Sequence, residues 1–306
     1  MASHEVTASP TRARLAVGVI SAGRVGTAVG AALERAGHVV FGVNAVSDAS
    51  INRAQTRLPE AEILSPDVIA AHAELLILAV PDTELAGLIE GLAATGVVRP
   101  GTVVAHTSGA NGISILSPLT RQGARPLALH PAMTFSGKDE DTARLANCCF
   151  GVTAADEIGD AIGQALVIEM GAEPVRVAEH NRTLYHAALA HGSNHLVTLV
   201  SDAVDALREA LAGNELLGQQ LVDTDPNGVA ERVLAPLLTA ALDNTLRRGF
   251  SALTGPVARG DVAAVRAHLD VLNEVDPDLA SGYRAMSLRS AQRAGKDNVV
   301  DVLEKL

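Results

Sequence analysis

The first half of this chain alternates apolar, β-branched runs with turns of Gly, Pro or Asp and then with helical stretches. That alternation calls for a parallel sheet covered by helices, because each extended run must be returned to the same end of the sheet by a crossover. The runs are Leu15–Ile20, Val39–Asn44, Leu75–Val80, Thr102–His106, Pro126–His130 and Cys149–Thr153. They are nearly continuous in apolar character, as strands buried on both faces must be. Helices are expected at Arg24–Ala36, Asp82–Ala94, Gly112–Arg121 and Glu157–Met170, with a last strand at Val175–Ala178. Near residue 180 the β-branched runs give way to long Ala/Leu periodic stretches, which marks a domain boundary. Arg182–Leu211 reads as one helix of about 45 Å at the standard rise. Val229–Arg248 reads as a second with a kink at Pro236, and Asp261 and Asp276 are placed to cap two more. The polar leader before residue 14 is left outside the fold.

The first apolar run ends in Ser21-Ala22-Gly23-Arg24-Val25-Gly26 and passes directly into a helix. This matches the dinucleotide fingerprint, except that serine stands in place of the first glycine. A turn of this kind aims backbone N–H groups and a helix N-terminus at a pyrophosphate. At the tip of the second run stand Asn44 and Ser47, with Arg53 further on. Neutral hydrogen-bonders and a cation suit a 2′-phosphate better than a carboxylate would, so NADP(H) is favoured over NAD(H), with Asp48 the contrary sign. The fold class is α/β: a Rossmann-like doubly wound parallel sheet, residues 14–178, followed by an all-helical domain, residues 179–306.

Composition narrows the partners. Lys plus Arg number 24 against 35 Asp plus Glu, a formal charge of −11 that repels phosphate backbones. With four Phe, two Tyr and no Trp there is no platform for stacking bases. Nucleic acid is not an expected partner, and no apolar stretch is long enough to span a membrane. Cys148 and Cys149 are adjacent, so neither a mutual bridge nor a disulfide framework is expected. They read as two small buried hydrophobes, and the cytoplasm is the simplest compartment.

In a doubly wound sheet the chemistry gathers beyond the carboxyl ends of the strands. Val80-Pro81 there suits the wall of a nicotinamide-ribose site, and His106-Thr107-Ser108 and His130 with Thr134 close the next two strands. On the long helix His186 and Asn194 share a face through their spacing with Ala190. His191 and His195 have a zinc-ligand spacing but no companion glutamate or acidic ligand, so no metal is expected.

With these residues in view, the chain resembles the two-domain reductases that join a Rossmann domain to a helical domain, among them ketopantoate reductase, 6-phosphogluconate dehydrogenase, pyrroline-carboxylate reductase and prephenate dehydrogenase. It is most similar to a branch of predicted oxidoreductases whose helical half is a domain of unknown function. The marks of this resemblance are the stretches His106–Ala110, His130–Phe135 and Ala252–Asp261, together with Ser193-Asn194. The resemblance implies an NADP-dependent reductase of a small 2-oxo acid, ketopantoate-like. In it His130 or His186 supplies the proton, Ser108 and Asn194 hold the oxyanion, and Thr254 and Arg259 reach the substrate. The lysine of ketopantoate reductases would fall on His186, so a histidine takes its place. Prephenate-type dehydrogenation, imine reduction and non-catalytic NADP sensing are the alternatives. A homodimer through the helical domain is expected.

Overall fold

The computed structural model describes residues 14–212 and 228–305, so the expected leader lies outside the described residues. These residues form two compact units that divide between His191 and Gly192. The first runs β1 (Ala16–Ile20), α1 (Arg24–Arg35), β2 (Val39–Asn44), α2 (Asp48–Arg57), β3 (Glu62–Ile63), α3 (Pro66–His72), β4 (Leu75–Leu78) and α4 (Asp82–Thr95). It continues with β5 (Val103–His106), α5 (Ser117–Thr120), β6 (Arg125–Pro131), α6 (Glu140–Leu145), β7 (Cys149–Ala154), α7 (Glu157–Glu169) and β8 (Glu173–Arg176), then the start of α8 (Arg182–Leu211). The eight strands make one sheet in the order β3-β2-β1-β4-β5-β6-β7-β8.

Successive residues of the central strands face opposite layers. Leu75 and Ile77 join Val17, Val19, Leu127 and Leu129 in a core beneath α1 and α7, while Leu76 and Leu78 join Ile69, Leu85 and Ile89 beneath α3 and α4. Coverage on both sides is why these runs carry apolar residues at every position.

The sequence calls for a wholly parallel sheet, and one pairing departs from it. β7 runs antiparallel to β6, with His130 opposite Gly151 and Pro131 opposite Phe150. A parallel return requires a crossover spanning the sheet. Here the connecting segment is occupied by a loop wound around Asp141 and by the short α6, so the chain re-enters from the end it left. Asp141 is buried and accepts hydrogen bonds from the Ser136 and Gly137 amides and the Ser136 hydroxyl. Burial raises its pKa, but those donors and Arg57 outweigh that and hold it below the ordinary value.

The helix expected over Gly112–Arg121 is two short pieces, a 3₁₀ turn at Ile113–Leu116 and α5, where Pro118 occupies the first turn. α2 has no counterpart in the sequence reading because it buries one residue, Ala54, and so carries no apolar stripe. The cysteine pair also differs from expectation: Cys149 is exposed and Cys148 half-buried.

The second unit contains the rest of α8, then α9 (Val229–Arg248), α10 (Gly255–Arg259), α11 (Val262–Val275), α12 (Pro277–Ala294) and α13 (Asp297–Leu303). Its core comprises Val257, Val265, Leu269, Ala291, Val299 and Leu303. Asp261 caps α11 by accepting from the Ala264 amide at 3.1 Å, and Asp276 caps α12 through the Asp278 amide at 2.8 Å. Pro236 lies inside a continuous α9. No described helix is long and apolar enough to cross a membrane.

Candidate active site

β1 lies between β2 and β4, so strand order reverses there, at the point where doubly wound sheets take their ligands. The turn leaving β1 begins with Ser21 at φ +84°, the left-handed region that glycine enters freely. Ser21 is the one non-glycine residue with positive φ among the described residues. Serine thus holds the conformation of the glycine it replaces, at a cost of roughly 1 kcal/mol. Ala22 donates its amide to the Asn44 carbonyl at 2.7 Å, and Gly23 leads into α1 with no side-chain cap on that helix. A Cβ on Gly26 would lie 2.1 Å from the Ser21 carbonyl oxygen, so only glycine lets α1 start this close to the turn.

Two cations stand by this turn. Arg53 donates Nε–H to the Ala22 carbonyl at 3.2 Å, and Arg24 donates Nη1–H to the Phe135 carbonyl at 3.4 Å. Asn44 donates its amide to the Leu64 carbonyl, while Ser47 is exposed and caps α2 by accepting from the Ser50 amide. Asn44 and Arg53 are therefore brought to the turn, and Ser47 marks the start of the helix after β2. Val80 and Pro81 lead from β4 into α4, with Pro81 as its cap residue.

The neighbouring strand ends carry the histidines. His106 is fully buried; its Nε2 lies 2.9 Å from the Gly112 carbonyl and its Nδ1 accepts the Ser108 amide at 3.2 Å. Burial takes its pKa down to about 4, so the ring is neutral, with its proton on Nε2. Both ring nitrogens are committed. Those two contacts hold the loop that follows β5. Ser108, also buried, accepts from the Asn111 amide and side chain at 3.0 Å each, which leaves its own hydroxyl proton to donate. Thr107 is tied through its amide to the Leu78 carbonyl.

His130 is half-buried, with Nδ1 3.0 Å from the Tyr185 hydroxyl and its ring edge-on to both Tyr185 and His186. A Cβ on Gly109 would fall 2.6 Å from His186 and 3.0 Å from His130 Nε2, so the glycine is what admits the two rings beside the loop. Burial, then Arg182 and His186, lower the His130 pKa to about 4, with Asp82 acting weakly the other way. Ser108, Gly109, His130 and His186 thus gather at the ends of β5 and β6. Thr134 is exposed beyond β6. Asn194 on α8 and Thr254 and Arg259 at α10 belong to the second unit, where each is exposed.

Sequence reasoning missed the groups behind these histidines. Arg182, the first residue of α8, is 1% exposed. It donates Nε–H to Thr153 Oγ1 at 2.8 Å and Nη2–H to the carbonyls of Ala128 at 2.8 Å and Gly151 at 3.2 Å, linking β6 to β7. Glu179 accepts the Ile113 and Ser114 amides at 2.7 and 3.0 Å, closing the far end of the loop begun at His106. Neither residue sits in an apolar period or a motif, so no pattern singles it out.

Residues 1–131 match the family model of a Rossmann-like domain, and residues 148–290 match that of a domain of unknown function, DUF2520. The chain is a Rossmann-like domain joined to a DUF2520 domain. No curated protein matches it. Among solved structures it is similar to a candidate NADP oxidoreductase from Bacteroides fragilis, with a TM-score of 0.71 at 19% identity over 91% of this chain and 98% of that one. A reductive aminase from Aspergillus terreus, in complex with NADPH and ethyl-5-oxohexanoate, gives a TM-score of 0.64 at 15% identity over 92% and 95%. Pyrroline carboxylate reductase from Plasmodium falciparum with NADP bound gives 0.53 at 10% identity over 92% and 98%. At these identities the likeness is one of fold. The histidine of the β6 end, His130, precedes the stretch matched by DUF2520, while Arg182, Tyr185 and His186 fall inside it.

Proposed function

We propose that this Rossmann–DUF2520 chain is an NADP(H)-dependent oxidoreductase that reduces a small 2-oxo acid of the ketopantoate type. The observation that carries the reading is the turn at the β1–β4 reversal: Ser21 held at positive φ, an α1 N-terminus without a side-chain cap, and Gly26 in contact with the Ser21 carbonyl. Such a cradle fits a pyrophosphate, since backbone amides and the helix dipole favour an anion approaching that closely. Arg53 and the α2 N-terminus after Asn44 and Ser47 fit a 2′-phosphate.

When bound, NADPH supplies the hydride. The chain supplies hydrogen-bond donors for the oxygen of the substrate. Ser108 offers its hydroxyl proton, and His130, kept neutral by burial and by Arg182, offers an N–H. His186 beside it is the second proton donor. Imine reduction on the same groups is the second reading, favoured by the pyrroline carboxylate reductase and the reductive aminase among the structural neighbours.

Titrating the protein with NADPH while following cofactor fluorescence and thermal unfolding tests the first requirement. At 100 times the dissociation constant, binding is expected to add about 2.7 kcal/mol to the stability. NADPH oxidation with 2-oxo acids and with cyclic imines then separates the two substrate classes. A chain unmoved by NADPH, beside a responding control reductase, would overturn the proposal.

A further inference from the structure

The hydroxyl of Tyr185 is built into the sheet rather than laid against it. It reaches His130 Nδ1 at 3.0 Å with the two rings at 89° and their centroids 5.6 Å apart. The phenol fits only because residue 151, directly opposite His130 on β7, is glycine: a Cβ there would lie 2.8 Å from both Cζ and the hydroxyl oxygen. The Arg182 guanidinium stands over the ring, its carbon 5.9 Å from the ring centroid. His130 therefore has two distinct edges. Nδ1 faces Tyr185, and Nε2 faces the Ser108–Gly109 turn, 3.0 Å from the place where a Gly109 Cβ would stand.

We propose that Tyr185 is the positioning residue of the site: it donates its hydroxyl proton to His130 Nδ1 and so fixes the tautomer that carries hydrogen on Nε2, toward Ser108 and the substrate. The inference rests on the reading of His130 as a group that meets the substrate. Three observations set the direction of the bond. The buried cation lies on the Tyr185 side, so the imidazole is best oriented with its lone pair toward Arg182 and its N–H away from it. Burial, the largest influence on Tyr185, raises its pKa above the ordinary value, so the phenol keeps its proton and has it to donate, while the neutral His130 ring has a lone pair to accept it. On the opposite edge, an Nε2 that carries hydrogen faces the Ser108–Gly109 turn as a donor beside the Ser108 hydroxyl and His186. A histidine held this way acts as a neutral donor, its orientation set by a partner that never touches the substrate.

The test reads the tautomer directly. In full-length protein labelled with ¹⁵N in the imidazole rings, with His130→Asn identifying the resonances, wild type is expected to show His130 at pH 7 with protonated Nε2 and unprotonated Nδ1. Tyr185→Phe, which keeps the ring and removes the hydroxyl, is expected to convert this to a mixture of tautomers. It should also lower kcat roughly 10- to 100-fold, the size of loss that follows when the outer partner of a metal-bound histidine is removed, with KM changed less than about twofold. Should Tyr185→Phe fail to fold, fluorotyrosine labelling replaces it. The chain has two tyrosines, and Tyr283, paired with His268 in the second unit, gives the reference signal. The more acidic phenol is expected to shift the His130 Nδ1 resonance. A wild-type His130 protonated on Nδ1, or one indifferent to both changes at Tyr185, overturns the proposal whatever the turnover. If NADPH and every substrate fail while the tautomer is as expected, the functional reading falls and the tautomer assignment stands.

Discussion

At the scale of single residues, the site is governed by how closely backbone groups approach one another. Gly26 is separated from the Ser21 carbonyl by less than a methyl group's width. Gly26→Ala is therefore expected to push α1 off the turn, costing about 1–3 kcal/mol of stability as overpacking does and abolishing NADPH binding. Ser21→Gly relaxes the strained φ and is expected to keep binding within a few-fold of wild type. Thermal unfolding and cofactor titration of the two variants check this, and equal losses in both would show that the turn is not the element that binds. The glycine spacing was legible in the sequence because turn chemistry is local. Arg182 and Tyr185 were not, since their roles depend on β7 lying beside β6, a contact that no local pattern encodes.

Among the elements, the loop from His106 to Ser114 is clamped at both ends: by the His106 ring on Gly112 and by the Glu179 carboxylate on the Ile113 and Ser114 amides. A Cβ on Gly112 would lie 2.1 Å from Glu179, so the carboxylate sits against the main chain. Burial raises the Glu179 pKa, yet its hydrogen bonds to Ser114 and Ile113 and the nearby Arg182 bring it below the ordinary value. Glu179→Ala is expected to cost about 1–2 kcal/mol through the two freed amides and to raise hydrogen exchange selectively in the segment 107–114. Unchanged exchange there would mean that the loop is held without the clamp. The long apolar strands were legible because burial on both faces leaves them no polar position, and α8 and α9 because of their long Ala/Leu stretches, although α9 buries only Ala230. The polar α2, the short α3 and the reversed β7 were not, because nothing in their composition differs from a loop or a parallel strand.

For the whole molecule, the buried histidines tie stability to pH. His106 is held neutral down to about pH 4, whereas in the unfolded chain it takes up a proton near its ordinary 6.5. Between those values the unfolded state binds more protons, so stability falls as pH drops from 6.5 to 4, by on the order of 3 kcal/mol for this one group. Above 6.5 the effect vanishes. The depressed carboxylates Asp141 and Glu179 add their loss at still lower pH, as they too must be protonated. Urea unfolding from pH 7.5 to 4.5 is expected to show this decline and His106→Gln to flatten it; a wild type as stable at pH 5 as at 7.5 would count against a neutral buried ring. The change in texture near residue 180 falls at the start of α8, whereas the two compact units divide within that helix, between His191 and Gly192.

The reversal of β7 has a practical consequence. Because that strand starts where β6 finishes, the Cys149 carbonyl accepts the Ala132 amide at 2.9 Å, two residues past His130. Burial pushes the neighbouring Cys148 thiol up to about 11, whereas Cys149 is open to solvent. Mild alkylation is thus expected to discriminate within an adjacent pair, giving an attachment point for a reporter dye at the start of β7, beside the end of the strand that carries His130.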